Sequence, residues 1–158
     1  MHKINPFLWF DTQAEQAANF YVSLFKNSKI NNVTRYGEGA PGPAGTVMTV
    51  DFELDGQQFV ALNGGPIFKF TEAISFMVRC ESQAEVDRLW AKLTADGGVE
   101  SQCGWLKDRY GLSWQIVPDG LNDYIAGKDA QKAQCALQAM LKMKKLDIDQ
   151  LRLAYEQG

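Results

Sequence analysis

Three side chains in strand-like segments have the chemistry for acid–base or nucleophilic work: Asp51, Lys107 and Cys103. A carboxylate and an ammonium group can exchange protons with a substrate if burial shifts their pKa values. Cys103 precedes Lys107 by four residues, so on one strand both would lie on the same face and the cation would stabilise a thiolate nucleophile. A structural ion pair and an ordinary strand cysteine are the alternatives for these residues.

Aromatic and amide side chains alternate with aliphatic ones along the same strand-like segments. The aliphatic face is expected under helices, whereas a face that mixes rings with amides is typical of a ligand cavity. The predicted ligand-binding side chains on this face are Asn5, Phe7, Trp9, Phe59, Met77, Trp105 and Gln115. The two amides would orient a carbonyl-bearing ligand or bond to each other, and the rings would stack on a planar ligand or fill space.

Histidine is nearly absent, since the one histidine among 158 residues is His2, beside the start methionine. Chain ends are often poorly ordered. A Ser/His/Asp triad, a Cys/His dyad or a multi-histidine metal site would have to use that residue or do without it. We therefore expect none of these sites.

The net charge argues against nucleic-acid and membrane partners, and the cysteines indicate the cellular compartment. Sixteen Lys and Arg face nineteen Asp and Glu, a net charge of −3, so no basic surface is expected for nucleic acid or for a membrane. The cysteines, Cys80, Cys103 and Cys135, are odd in number and lack CxxC spacing, and no secretory signal is recognisable. We expect a cytoplasmic protein.

The chain contains two copies of one unit, 70 residues apart. Residues 11–15 recur as 81–85, and in each copy a hydroxyl residue, Thr12 or Ser82, precedes a glutamate by three positions. This spacing predicts a capping box, in which both side chains bond backbone N–H groups at a helix start. Apolar residues at i, i+3 and i+4 follow each box, so each copy should contain an amphipathic helix on a sheet.

Strand-like runs surround both predicted helices. One run precedes each helix, at 4–10 and 73–80, and Asp55-Gly56 marks a tight hairpin in the first copy. The runs after the helices are 30–36, 46–54 and 58–62 in the first copy and 99–102, 102–107 and 112–117 in the second. The pattern predicts an α+β fold with two βαβββ modules, at about 1–66 and 67–120, in one domain of residues 1–158.

Residues 128–157 predict a helical tail. Apolar residues recur at helical spacing from Ala133 to Leu141, and Asp147 with Gln150 is typical of the cap of a last helix. The apolar stripe should dock on the parent sheet or on a second subunit, and an interaction surface for a protein partner is the further alternative.

Several short runs, in order, resemble one known family. They are 5–10 (NPFLWF), 61–65 (ALNGG), 104–111 (GWLKDRYG) and 139–145 (AMLKMKK). Together they resemble the PhnB-like branch, labelled 3-demethylubiquinone 3-methyltransferase-like, of the vicinal oxygen chelate superfamily of glyoxalases, bleomycin-resistance proteins and extradiol dioxygenases. The resemblance covers 4–118 and implies a curled, mixed eight-stranded sheet around a cavity, and a homodimer.

The resemblance also implies where metal ligands would lie. In the superfamily the first and last strands of each module supply them, and the corresponding residues here are Asn5, Ala61, Ala73 and Gln115. Alanine has no donor atom and amides bind transition metals weakly. We therefore expect no metal or other cofactor, and a protein that binds a small, partly aromatic molecule. A metal-independent enzyme that uses the acid–base groups is the alternative.

Methyl transfer is not expected despite the label of the branch. A methyl-donor site is typically a glycine-rich loop between a strand and a helix. The nearest segment, 37–45 (GEGAPGPAG), contains two prolines and precedes no predicted helix, so a surface loop is the better interpretation.

Overall fold

The computed structural model describes residues 2–158, which form two compact units. The first unit ends at Phe70, and the second is Thr71–Gly158. Each contains one four-stranded mixed sheet, so the eight predicted strands are divided equally between two sheets. The predicted α+β class and the two βαβββ modules are confirmed.

The first unit follows the predicted order of one strand, a helix and three strands. Its elements are β1 (Phe7–Phe10), α1 (Ala14–Leu24), β2 (Lys29–Arg35), β3 (Val47–Leu54) and β4 (Gln57–Asn63). The sheet order is β1-β4-β3-β2, with β1 parallel to β4 and the other pairs antiparallel. The first strand begins later than predicted, so Asn5 lies before it.

The second unit repeats this order and adds helices. Its elements are β5 (Ser75–Cys80), α2 (Gln83–Thr94), β6 (Val99–Glu100), β7 (Trp105–Lys107), β8 (Ser113–Pro118), α3 (Leu121–Ile125), α4 (Ala130–Met140) and α5 (Ile148–Glu156). The sheet order is β5-β8-β7-β6, with β5 parallel to β8. Both predicted tail helices are present, and α3 is an addition. Within residues 2–158 no helix is long and apolar enough to cross a membrane.

The Asp55-Gly56 turn determines which side chains of β3 and β4 meet helix α1. Both residues have positive φ, 48° and 78°, as a two-residue hairpin turn requires. The turn places Phe52 opposite Phe59, and residues directly opposite in an antiparallel pair share a face. Both rings are buried and stacked, with centroids 5.3 Å apart, and Tyr21 of α1 packs on Phe52.

The start of α1 differs from the predicted capping box. Gln13 occupies the cap position without a side-chain hydrogen bond to the helix. Asn63, at the end of β4, replaces Thr12, because its Oδ1 accepts the Ala14 N–H at 2.8 Å and its Nδ2 donates to the Val47 carbonyl at 3.1 Å. The prediction of a Thr12–Glu15 box is therefore wrong.

The second capping box is confirmed at α2. The Ser82 hydroxyl accepts the Glu85 N–H at 3.1 Å, and the Glu85 carboxylate accepts the Glu81 N–H at 2.8 Å. Two backbone donors at the helix start are thus satisfied by side chains of the same segment.

The tail docks on α2 through the amide of Gln83. Its Nε2 donates to the Leu146 carbonyl and its Oε1 accepts the Ile148 N–H, both at 3.0 Å. Leu146 is buried, and Lys145 forms an ion pair with Asp87 of α2 at 2.8 Å. The Asp147 carboxylate caps α5 by accepting the Gln150 N–H, as predicted.

The different starts of the two helices lead to a direct test. Replacement Asn63→Ala should lower the free energy of unfolding by about 1–2 kcal/mol, because the first N–H of α1 loses its acceptor. Thr12→Ala, the matched control, should change it by less than about 0.5 kcal/mol. Urea unfolding measures both, and an equal loss in Thr12→Ala would contradict the observed cap.

Candidate functional site

The candidate site residues of each unit lie on the far face of its sheet, by which we mean the face directed away from the helix packed on it. In the second sheet, Met77 pairs with Gln115 and Gln115 pairs with Trp105, so these three form one row across β5, β8 and β7. The Gln115 Nε2 donates to the Ser75 hydroxyl at 2.9 Å, and the Met77 side chain is exposed. The flat Trp105 ring and the Gln115 amide are therefore neighbours on this face.

A second, polar row runs beside the first on the same face. Ser75 pairs with Ser113, and Ser113 pairs with Lys107. Ser113 is only 1% exposed, and its hydroxyl has no hydrogen-bond partner in the described part of the chain. The Lys107 ammonium forms an ion pair with Glu72 and lowers the pKa of that carboxyl group. The sequence pattern did not reveal this partner.

A buried carboxylate holds the turn that carries these residues. Asp108, which follows β7, is 2% exposed. Its Oδ1 accepts the N–H groups of Tyr110 and Leu112, and its Oδ2 accepts the Trp114 indole N–H at 2.9 Å. Asp108 thereby fixes the connection between Lys107 and Ser113.

In the first sheet, the far face carries predicted site residues of several kinds. Phe7 pairs with Val60 and is 60% exposed, and Trp9 pairs with Leu62. Asp51 is half-buried on the same face. A hydroxyl pair, Thr34 with Thr49 at 2.6 Å, lies on the neighbouring strands. This face therefore combines aromatic rings with a carboxylate and hydroxyl groups.

Trp9 also anchors the segment that follows β4. Its indole N–H donates to the Gly65 carbonyl at 2.8 Å, and its ring meets Phe68 edge-on at 4.9 Å. A Cβ on Gly64 would lie 2.4 Å from the ring, so only glycine fits at this position. The ring therefore has a structural role in addition to any contact with a ligand.

Phe59 corrects the predicted ligand-binding set. It lies on the helix face, buried against Phe52, because the two-residue turn places residues 52 and 59 on the same side. Val60 and Leu62 occupy the far face of β4 instead. The turn itself was recognised in the sequence, and counting outward from it would have shown this register.

The positions implied for metal ligands do not fit a metal. Ala61 is fully buried on the helix face, Ala73 precedes β5, and the exposed Asn5 donates its amide to the His2 carbonyl at 3.2 Å. Gln115 is a neutral amide. Over residues 2–158, no three His, Cys, Asp or Glu side chains form a group that could hold a metal ion.

Cys103 is not on a strand, which corrects the prediction that it shares a face with Lys107. With φ 58° it forms a turn with Gly104, and its N–H donates to the Met143 carbonyl at 2.8 Å. Its thiol donates to the Met140 carbonyl at 3.6 Å.

Asp51 lies in the first unit and Lys107 in the second, where Glu72 is the partner of Lys107. Elsewhere, burial raises the pKa of the Cys80 thiol to about 12.

An open groove in the first unit lies apart from the predicted site residues. It has a volume of about 720 Å³ between α1 and the loop before β3, and its lining includes Glu15, Asn19, Arg35 and Thr46. None of the predicted ligand-binding side chains lines it.

Comparisons with known proteins agree with the architecture. The family model described as 3-demethylubiquinone-9 3-methyltransferase matches residues 2–117. A PhnB protein from Bacillus cereus is 40% identical, with 74% of this chain and 99% of that chain covered and a TM-score of 0.69. Protein PA1353 from Pseudomonas aeruginosa is 20% identical, with 75% and 100% covered and a TM-score of 0.60.

More distant similarity extends to a glyoxalase/bleomycin resistance protein from Albidiferax ferrireducens. It is 14% identical, with 72% of this chain and 95% of that chain covered and a TM-score of 0.48. No curated protein matches the chain.

The contact between Trp9 and Gly64 can be tested by adding one methyl group. Gly64→Ala should lower the free energy of unfolding by about 1–3 kcal/mol, because the new Cβ would overlap the indole ring. Gly37→Ala is the matched control, since nothing lies within 4 Å of its Cβ, and it should be nearly neutral. Equal stability of the two variants in urea would show that the Trp9 ring is free to move.

Proposed function

The chain belongs to the 3-demethylubiquinone-9 3-methyltransferase family, and we propose that it is a metal-free protein that binds a small, partly aromatic molecule on the far face of a sheet. The proposed ligand-binding residues are Asn5, Phe7, Trp9, Met77, Trp105 and Gln115. Phe59 leaves the set because it is part of the core.

The observation that carries the proposal is the buried hydroxyl of Ser113. A buried polar group without a partner costs about 1–3 kcal/mol, so such groups are rare in folded proteins. Ser113 lies in the row next to Trp105 and Gln115, where a ligand with a flat ring and a polar group would supply the missing hydrogen bond. A purely structural sheet face would gain more from an alanine at this position.

Exposed apolar side chains support ligand binding on a far face. On the first sheet Phe7 is 60% exposed, and on the second sheet Met77 is 58% exposed. A large ring and a flexible thioether can both adapt to a planar molecule. Their exposure is unfavourable in water, and a bound aromatic ligand would reduce it.

Methyl transfer is not part of the proposal. The glycine-rich segment 37–45 joins the antiparallel strands β2 and β3, so no helix follows it. The typical site for a nucleotide-type methyl donor offers backbone N–H groups at the start of a helix that follows a strand. The name of the family is therefore not carried over as the activity of this chain.

The alternative, a metal-independent enzyme, receives less support from the same contacts. Lys107 is engaged by Glu72, and the Cys103 thiol by the Met140 carbonyl. The ion pair holds Lys107 in its charged form, which cannot act as a base, and a backbone carbonyl does not take the proton of a thiol. We therefore propose binding rather than turnover.

We propose a homodimer in the cytoplasm. The first strand of each unit, β1 or β5, is an edge strand, and the residues Ile4 and Ile74 just before these strands are largely exposed. A second copy would cover both edges and these apolar side chains. The three free cysteines suit a reducing compartment.

Ligand binding can be tested with a library of small planar aromatic compounds. We expect saturable increases in melting temperature, and Trp105→Ala should weaken binding of the best compound by about tenfold or more through loss of the stacking surface. Tyr124→Ala, an aromatic change in α3, should leave binding unchanged. S-adenosylmethionine should give no shift.

Failure of every compound to bind the wild-type protein would contradict the proposal. So would turnover without any binding compound, or unchanged affinity in Trp105→Ala.

The dimer can be tested by sedimentation. A chain of 17.7 kDa should sediment at twice that mass, and the double replacement Ile4→Glu and Ile74→Glu should yield monomers by placing charges in the interface. Glu38→Lys, in the glycine-rich loop, serves as the charge-changing control. A monomeric wild-type protein at tens of micromolar would disprove the dimer.

A further inference from the structure

The polar row on the second sheet concentrates hydrogen-bond donors. Ser75, Ser113 and Lys107 are directly paired across three neighbouring strands. Paired residues on one face of a sheet have their Cβ atoms about 5 Å apart. The side chains of two serines and one lysine therefore begin next to each other, and Trp105 is two residues from Lys107 on the same face.

The hydroxyl protons of this row have no acceptor in the described structure. The Ser75 oxygen accepts from Gln115, which leaves its own proton to donate. The Ser113 hydroxyl is buried, and no group within the described residues, 2–158, forms a hydrogen bond with it. An anionic acceptor forms stronger hydrogen bonds with such donors than a neutral acceptor does, and most of all with an ammonium group.

The contact of Glu72 with Lys107 indicates which kind of acceptor the donors of this row bind. It precedes β5 by three residues, and its carboxylate pairs with Lys107. The side chains are 59% and 44% exposed, so water screens the ion pair and another anion can replace the glutamate. The one ammonium group matches a single negative charge, as on a carboxylate.

Building on the proposed binding function, we propose that the ligand is a flat aromatic carboxylate and that Glu72 competes with it. The ligand ring stacks on Trp105, and its carboxylate accepts from Lys107 and the Ser113 hydroxyl after Glu72 has moved away. Glu72 thereby acts as an internal competitor that keeps Lys107 paired when no ligand is present.

Naphthalene-2-carboxylate is a suitable probe, with naphthalene-2-carboxamide as its neutral counterpart, and calorimetric titration gives the dissociation constants. Lys107→Gln should weaken binding of the acid by about tenfold or more, since a charge-assisted bond is lost. Glu72→Gln should strengthen it by about threefold, because the competing carboxylate is removed. Binding of the amide should change by less than about threefold in either variant, because it carries no charge for Lys107 to attract or for Glu72 to repel.

Lys145→Gln is the matched control, because Lys145 is a half-exposed lysine in an ion pair with Asp87 of the same unit. It should leave both dissociation constants unchanged. Ser113→Ala should weaken acid binding by about threefold or more without lowering the urea midpoint, because the hydroxyl it removes has no protein partner. A lowered midpoint would overturn the role of Ser113 as a ligand donor.

The outcomes separate this proposal from the binding function itself. If the acid fails to bind, or binds Lys107→Gln and Lys145→Gln equally, the anion proposal is wrong, and binding of the amide would leave the binding function intact. Weaker acid binding in Glu72→Gln would overturn the competition. Sulfate alone should not bind measurably, and sulfate binding as tight as that of the acid would contradict the aromatic requirement.

Discussion

The register set by the two-residue turn at Asp55-Gly56 is the constraint on which the first unit depends. It places Phe59 and Ala61 beneath α1 and turns the alternate residues to the far face. A slip of one residue would exchange the two sets completely. The same register brings Asn63 to the first turn of α1, where it accepts a helix N–H. The register set by this turn thus determines the position of α1, the core beneath it and the residues of the far face.

The second unit has the same strand topology, but a buried side chain holds the connection between its last two strands. Its β7–β8 connection is held by the buried carboxylate of Asp108, which accepts two backbone N–H groups and the Trp114 indole. A buried carboxylate that accepts several hydrogen bonds is stabilised inside a protein. The strand ends that carry Lys107 and Ser113 are therefore rigidly placed, as a binding surface requires.

The two far faces differ in the contacts that their tryptophan side chains make with the rest of the protein. Trp9 in the first sheet is committed to Gly64, Gly65 and Phe68, so it supports the chain after β4. The second sheet combines the Trp105 ring with the Ser113 hydroxyl and a partly exposed ion pair of Lys107 with Glu72. A ligand gains most where polar groups lack partners, which is why the proposed chemistry centres on the second sheet.

Short-range patterns in the sequence determined the element order, the α2 capping box and the α5 cap, because the interacting residues lie within four positions of each other. Thr12 and Glu15 had the same local pattern as Ser82 and Glu85, yet Asn63, far along the chain, is the acceptor at α1. Tertiary structure alone decided this cap and the Lys107–Glu72 pair. It also decided the Cys103 turn, which contacts the tail. The physical reason is that a hydrogen bond forms with whichever group the fold brings within 3 Å, however distant it is in sequence.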